Sequence, residues 1–428
     1  MAIDLPITPF SRVTALAARR AVHDAFAWLH GNPKTIMDWQ AAAVAIPAPP
    51  FGEEKRAAWM AARFAEAGLG HVETDGSGNV LALFPAVSLP PESTGPLVVL
   101  SAHLDTVFSA STPIHPVVEG DRLEAPGACD NGAGLAGLLA IAHALAHSGA
   151  EVPAPLLFLG NVGEEGEGDL RGVRAFYHHS RLAGRVAAHI VLDGAGVDTA
   201  VTEALGSRRF RVTLTGPGGH SFTDAGIPNP IAALSAALAA LAETPLPDEP
   251  RTTLNLGTIE GGTSVNSIPE RAEASIDFRS ISSAQLQQME SSLQHAVAEA
   301  VERANARAVQ FFAARGKRMG TNPDRSLLTF RIEKIGDRPA ASLAENSPLL
   351  ETLRAVDRHL NLRTELRLGS TDANLPLSLG VPALSLGAGG TGGGAHTRAE
   401  WYSAQNREAG LRRVLLLTLA MLEWAAES

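Results

Sequence analysis

A single cysteine, Cys129, stands in 428 residues. An internal disulfide is therefore excluded, and so is a zinc cluster built on several thiolates. Blocks of lysine or arginine are also missing: 35 basic residues face 45 acidic ones, a formal net charge of −10. That balance argues against nucleic acid or an anionic membrane as the main partner. No apolar run approaches the ~20 residues that a membrane helix needs. The opening MAIDLPITPF has neither the basic nor the apolar part of a secretory signal, so the expected location is the cytoplasm. No internal repeat is evident.

The composition, 45% hydrophobic and 19% charged, is that of a soluble globular protein. The length exceeds one ordinary core, so roughly two or three domains are expected. Helices are read at 14–29, 36–45 (ended by the proline-rich IPAPPFGEE), 53–67, 132–147 and 404–425. Short apolar runs, PLVVLS, LLFL, HIVL and ALSL, read as fully buried strands. The segment HVETDGSGNVLALF carries a hairpin signal at Asp75-Gly76. Near Val201 the style changes. RRFRVTLT alternates polar and apolar residues, which suggests an antiparallel strand with one wet face. Asn229 and Pro230 suit an N-cap and first helical position. Strands follow at 252–259 and 271–278, a helix from Ser283 to about Arg303, and a strand pair near 309–313 and 328–335 around a basic, exposed loop at 315–325. This order suggests an α+β insert. The expected fold class is α/β, a catalytic domain in two parts, 1–205 and 337–428, with a mostly parallel sheet flanked by helices and interrupted by the insert at 206–336.

The stretch LLFLGNVGEEGEGDLR, 156–171, organises the chemistry. Adjacent side chains on extended backbone point opposite ways, so of Glu164 and Glu165 one carboxylate can hold a metal while the other faces a substrate. An acidic, glycine-rich loop is more often merely solvated. Here the same pattern recurs: PLVVLSAHLD, LLFLGNVGEE, HIVLDGAG and ALSLGAGGTGGGAH all run from an apolar strand into a ligand-type residue. Sites in open parallel sheets form at the carboxyl ends of strands. His103 and Asp105, two apart, share a strand face, so Asp105 can support a ligating imidazole. Asp130 sits in the tight turn PGACDNGAG before a helix. The set His103, Asp130, Glu165, Asp193 and His396 offers mixed nitrogen and oxygen donors that suit zinc, with cobalt or manganese as substitutes. Two ions roughly 3.5–4 Å apart form a hydrolytic arrangement, which leaves Glu164 as the general base toward the attacking water. Three other features are read as structural. Cys129 is a small packing residue, and His143, His147, His178 and His179 lie on helix surfaces. The GxGxxG at 132–137 lacks the strand that a dinucleotide site requires, so close helix packing explains its glycines.

His103-Leu-Asp105, Asp130-Asn131, Glu164-Glu165, Asp193 and His396, in this order and spacing, resemble the motifs of the dizinc aminoacylase/carboxypeptidase family. That family includes glutamate carboxypeptidase, acetylornithine deacetylase, succinyl-diaminopimelate desuccinylase, carnosinase-type dipeptidases and tripeptide aminopeptidase. GPGGHS at 216–221, NSIP at 266–269, DFR ending at Arg279 and GSTDAN at 369–374 extend the resemblance over most of the chain. It implies that Asp130 bridges two metals, with His103 and Asp193 completing one site and Glu165 and His396 the other. It implies that Asp105 orients His103, that the insert is a lid forming a homodimer, and that His220 on that lid stabilises the oxyanion in a partner's site. Asn266 and Arg279 would hold a substrate carboxylate, for which arginine is suited.

The resemblance further implies cleavage of short peptides. The Asp193 position is glutamate in many deacylases and carboxypeptidases of the family and aspartate in its tripeptide aminopeptidase and dipeptidase branch. Di- or tripeptides with a free amino end are therefore the expected substrates. The alternative is an N-acyl amino acid deacylase or carboxypeptidase; a catalytically silent binding protein would have lost Glu164 or a ligand, and none is lost.

Overall fold

The apolar runs that end in acidic or histidine residues pair side by side. In a computed structural model, which describes residues 8–86, 94–316 and 327–428, Leu97–His103 is buried along its whole length. It pairs in parallel with Leu156–Asn161 on one side and Val186–Leu192 on the other. Ala383–Leu386 adds in parallel to Val186–Leu192. Burial on both faces accounts for the unbroken Leu, Val and Ile content of these strands. Antiparallel members flank this centre. Val80–Phe84 lies on Leu156–Asn161 and turns back into Gly70–Thr74, and Thr199–Ala204 lies on Ala383–Leu386. The hairpin is closed by Asp75, whose Oδ1 accepts from the N–H groups of Ser77 and Asn79 at 2.8 and 3.0 Å.

The chain folds into two compact units, Met1–Ala204 with Ser342–Ser428, and Leu205–Ala341. In the first, the helix Gly132–Ser148 starts at the N-cap Asn131, whose side chain accepts from Gly134 N. Its glycines are there for packing. A Cβ on Gly132 would come within 2.5 Å of Val44, and one on Gly137 within 2.7 Å of Ala388. The long C-terminal helix Arg407–Glu427 buries Leu411, Val414, Leu415 and Leu419.

The second unit is a four-stranded antiparallel sheet ordered Thr252–Gly261, Arg271–Ser280, Gly206–Thr215, Thr329–Arg338. Helices Pro230–Ala242 and Ser283–Ala313 cover one face. Asn229 caps the first of them, its Oδ1 accepting from Ile231 N and Ala232 N. The alternation puts Phe210, Val212, Leu214, Ile276 and Phe278 in the core with Leu234, Leu238, Leu293 and Val297. The Phe210 and Phe278 rings sit 5.8 Å apart, and truncating Phe278 to Ala should cost ~3–5 kcal/mol. The other face carries Arg209 paired with Asp277 and Arg211 with Glu273.

Three elements depart from expectation. The helix expected at 14–29 is two, Pro9–Ala17 and Arg20–Gly31, because Arg19 adopts an extended backbone and breaks the run. The strand expected at 309–313 is the end of the helix Ser283–Ala313. Once a helix is nucleated, each further residue adds a hydrogen bond at little cost, and this outweighs the strand preference of Val309, Phe311 and Phe312. His143 is half-buried rather than on a free surface, stacked 4.5 Å from Trp39 and 5.7 Å from Trp28. The basic loop expected at 315–325 lies mostly, over 317–325, outside the described residues.

Candidate metal centre

Each strand end of the parallel centre delivers one or two polar side chains to the same place. Leu97–His103 ends in His103 and continues to Asp105; Leu156–Asn161 leads to Glu164 and Glu165; Val186–Leu192 leads to Asp193. The glycine-rich loop after Ala383–Leu386 carries His396, which adopts a positive φ of 64°. Asp130 comes from the turn before the helix Gly132–Ser148. Among the described residues three donor groups form: His103, Asp130 and Asp193; Asp130, Glu165 and His396; and His103, Glu164 and Glu165, each with its atoms within 4.8 Å of one another.

Asp130 stands at the centre. Its Oδ1 lies 3.1 Å from His103 Nε2, and its Oδ2 lies 3.0 Å from His396 Nε2. His396 Nε2 is also 3.1 Å from Glu165 Oε1, and His103 Nε2 is 3.8 Å from Asp193 Oδ1. Asp105 is wholly buried and acts in two ways. Its backbone carbonyl lies 3.1 Å from His103 Nδ1. Its carboxylate accepts from Glu164 N at 3.0 Å and Glu165 N at 2.8 Å, so it fixes the segment carrying both glutamates. Its nearer oxygen is 3.7 Å from the imidazole.

Burial and crowding shift these groups strongly. Burial opposes a proton on His103, but hydrogen bonds with Asp105, Asp130 and Asp193 outweigh it and raise its pKa well above the usual imidazole range. The bond to Asp130 raises His396 to about 9. Burial would lift Asp130, yet its contacts with His103 and His396 hold it well below the usual carboxylate range. Burial, reinforced by the neighbouring Asp130, pushes Glu165 up to about 7. These shifts reflect a dense set of carboxylates crowded around two imidazoles. The donor chemistry fits divalent ions: each imidazole presents Nε2 to carboxylate oxygens, and Asp130 has one oxygen for each side.

Two further carboxyls close the site from behind; the GSTDAN motif marks the first in the sequence without telling its role, and the second does not stand out. Asp372, in GSTDAN, is fully buried and accepts from Asn161 Nδ2 at 2.7 Å; burial, with Glu164 nearby, lifts it to about 8. Glu400, four residues after His396, accepts from the backbone of the Asp130 turn. Cys129, beside Asp130, is buried, and burial raises its thiol to about 12, as expected of a packing residue.

His220, Asn266 and Arg279 all belong to the second unit and are not brought together within it. His220 and Asn266 sit at one end, joined by the bond from Ser221 N to Asn266 O at 3.0 Å and by pairing of Gly219–His220 with Ser267–Ile268. Arg279 is near the far end of Arg271–Ser280, paired with Asp277 at 2.7 Å. Eight residues of strand separate it from Arg271, roughly 27 Å.

The model of peptidase family M20/M25/M40 matches residues 99–420. The chain belongs to this family. A probable carboxypeptidase of Aspergillus clavatus is 31% identical over 287 residues, 61% of this chain and 61% of its own length. A probable carboxypeptidase of Aspergillus flavus is 28% identical over 212 residues, 44% of this chain and 47% of its own length. The matches thus span 47% to 61% of these relatives. Among solved structures, aminopeptidase PepT from Bacillus cereus superposes with a TM-score of 0.69 at 18% identity, covering 92% of this chain and 99% of its own. A tripeptidase from Staphylococcus aureus gives 0.68 at 19% identity, over 93% and 99%. These two likenesses are of fold: a mixed α/β architecture shared across the family.

Proposed function

We propose that this M20-family chain is a two-metal exopeptidase that hydrolyses the amide bond of short peptides with a free amino end. The observation that carries the reading is Asp130, with one oxygen turned to each of two imidazoles. His103 and Asp193 would hold one ion with it, and Glu165 and His396 the other; zinc suits these donors, with cobalt or manganese as substitutes. The ions would polarise the scissile carbonyl and acidify the attacking water. Glu164, buried and held by Asp105 through its backbone N–H, is the base that takes the proton from that water and returns it to the leaving amine. Both glutamate carboxylates converge near His103 rather than pointing apart; the reading gives Glu165, which faces His396, to the metal and Glu164 to proton transfer. The preference for a free amino end rests on Asp193, the aspartate that the resemblance ties to the aminopeptidase and dipeptidase branch. Location in the cytoplasm is part of the same reading.

The enzyme is proposed to act as a homodimer through its second unit. In that unit the edge strand Thr252–Gly261 exposes Leu256 and Ile259, and an unpaired edge of this kind is a template for a second copy. Because His220, in the short ribbon with Ser267–Ile268, and Arg279, on the four-stranded sheet, lie far apart in the second unit, a single copy is not expected to bring both to one substrate. The partner's histidine would complete the site. His220 Nδ1 accepts from Phe222 N at 3.2 Å, which leaves the Nε2 proton for a developing oxyanion. Mixing inactive Glu164→Gln and His220→Ala proteins should restore about a quarter of wild-type activity through mixed dimers; a fully active monomer would end this part of the reading.

A second reading, carboxypeptidase or N-acyl amino acid deacylase, is favoured by the name of the Aspergillus clavatus relative. A panel of free and N-blocked di- and tripeptides and N-acyl amino acids, with added zinc, cobalt or manganese, separates the two. Free-amine peptides should be cleaved fastest. Faster cleavage of N-acylated amino acids would replace the aminopeptidase reading.

A further inference from the structure

Glu400 is 1% exposed. Among the described residues no lysine or arginine forms an ion pair with it; its carboxylate accepts from three backbone N–H groups and lies near Asp130. A buried carboxylate without a counter-charge is costly, so its hydrogen bonds need to be good. Gly127 N donates to Oε2 at 2.8 Å, while Cys129 N and Asp130 N donate to Oε1 at 2.8 and 2.7 Å. All three donors belong to the turn that presents Asp130. The backbone of Glu400 joins in, its carbonyl accepting from Ala125 N at 3.1 Å.

The remaining handles of that turn are also held. Gln40 Nε2 donates to Ala128 O at 2.7 Å. Asn131 Nδ2 donates to Leu192 O at 2.9 Å, and Asn131 Oδ1 accepts from Gly194 N at 3.1 Å. Asn131 thereby fastens the turn to the strand end that carries Asp193. Glu400 fastens it to the loop that carries His396. Ligands 266 residues apart in sequence are set against each other through one side chain. The chemistry needs a glutamate here. Aspartate is a methylene too short to reach three amides, and glutamine would turn its own N–H₂ toward a donor.

We propose that Glu400 is a positioning residue of the metal centre, holding the Asp130 turn so that one carboxylate oxygen faces each imidazole. This rests on the two-metal reading above. Glu400 acts through Asp130 and touches neither substrate nor ion, so its loss should appear first in metal affinity.

The test is calorimetric titration of chelator-stripped protein with Zn²⁺, for wild type, Glu400→Gln and Glu400→Asp. Asp357→Asn serves as a control, because it disturbs a buried ion pair with Arg413 (2.7 Å) in the same unit. The Glu400 variants should bind Zn²⁺ ~10–100-fold more weakly, with Glu400→Gln the milder because one oxygen can still serve Cys129 N and Asp130 N. At saturating metal, kcat should fall more than KM rises. Asp357→Asn should melt earlier with wild-type metal affinity. Folded Glu400 variants with wild-type affinity would overturn the proposal, as would an equal loss in Asp357→Asn. A wild type that binds no ion would instead sink the two-metal reading beneath it.

Discussion

The two units handle charge in opposite ways. The second spreads it over the wet face of an antiparallel sheet, where Arg209 meets Asp277 and Arg211 meets Glu273. Such pairs each contribute little, typically ~0–1 kcal/mol. The first buries Asp105, Glu164, Glu165, Asp372 and Glu400 behind two imidazoles. Like charges do not gather in a low-dielectric interior unless a positive charge is meant to join them. One region is charged for its surroundings, the other for something it binds.

The sharpest way to break this comparison is to change one buried carboxylate at a time. Glu164→Gln keeps size and hydrogen bonding but removes the base. Metal content should stay near wild type while the rate falls at least ~10²-fold. Glu165→Gln, one residue on, should lose metal instead. Equal metal loss in both would mean that the glutamates do not divide the work, and full activity in Glu164→Gln would remove it from the mechanism.

A second effect follows from the protons that stand in for cations. His396 is raised from 6.5 to about 9 in the metal-free protein. A raised folded-state pKa stabilises the fold below the unfolded value, and that contribution fades as pH climbs through about 9. Metal binding requires neutral imidazoles and so releases protons. Stability of stripped protein attributable to this site should therefore decline between pH 6.5 and about 9, while zinc affinity rises over the same window. Melting curves with and without zinc, and calorimetry in buffers of different ionisation enthalpy, measure both. Affinity that does not change with pH would contradict the assignment of His396.

The smallest effect is expected in the second unit. Arg211→Ala removes a part-exposed cross-strand pair and should change unfolding free energy by less than ~1 kcal/mol, read from denaturant midpoints. A loss several times larger would mean that this wet face is covered in the assembled protein.

Much of the catalytic fold is legible in the chain because buried parallel strands are written as unbroken apolar runs: PLVVLS, LLFL, HIVL and ALSL all form strands, and each leads toward a side chain of the cluster. Less is legible where pattern and propensity are weak. Thr199–Ala204 has only a short alternation and passes almost directly into Gly206–Thr215. The helix Pro348–Leu360, by contrast, is plainly written, with Leu349, Leu353, Val356 and Leu360 at helical spacing between Ser347-Pro348 and the left-handed Asn361. For the site, His103, Asp130, Glu165, Asp193 and His396 are readable because they follow strands or a turn. Asp372 and Glu400 are not. GSTDAN marks Asp372 without telling its role, Glu400 is an ordinary acidic residue in sequence, and what each does depends on distant groups closing around it, Asn161 for one and the 127–130 turn for the other. Glu400 leaves one signal, an acidic residue four positions after a ligand-type histidine.

The account depends most directly on Asp130 being shared. Crystals of the protein loaded with zinc, measured on both sides of the zinc absorption edge, locate the ions independently of the side chains. Two anomalous peaks should appear roughly 3.5–4 Å apart, with Asp130 between them, one bound by His103 and Asp193 and the other by Glu165 and His396. A single peak at full zinc occupancy, or two that leave His103 or His396 unligated, would contradict it.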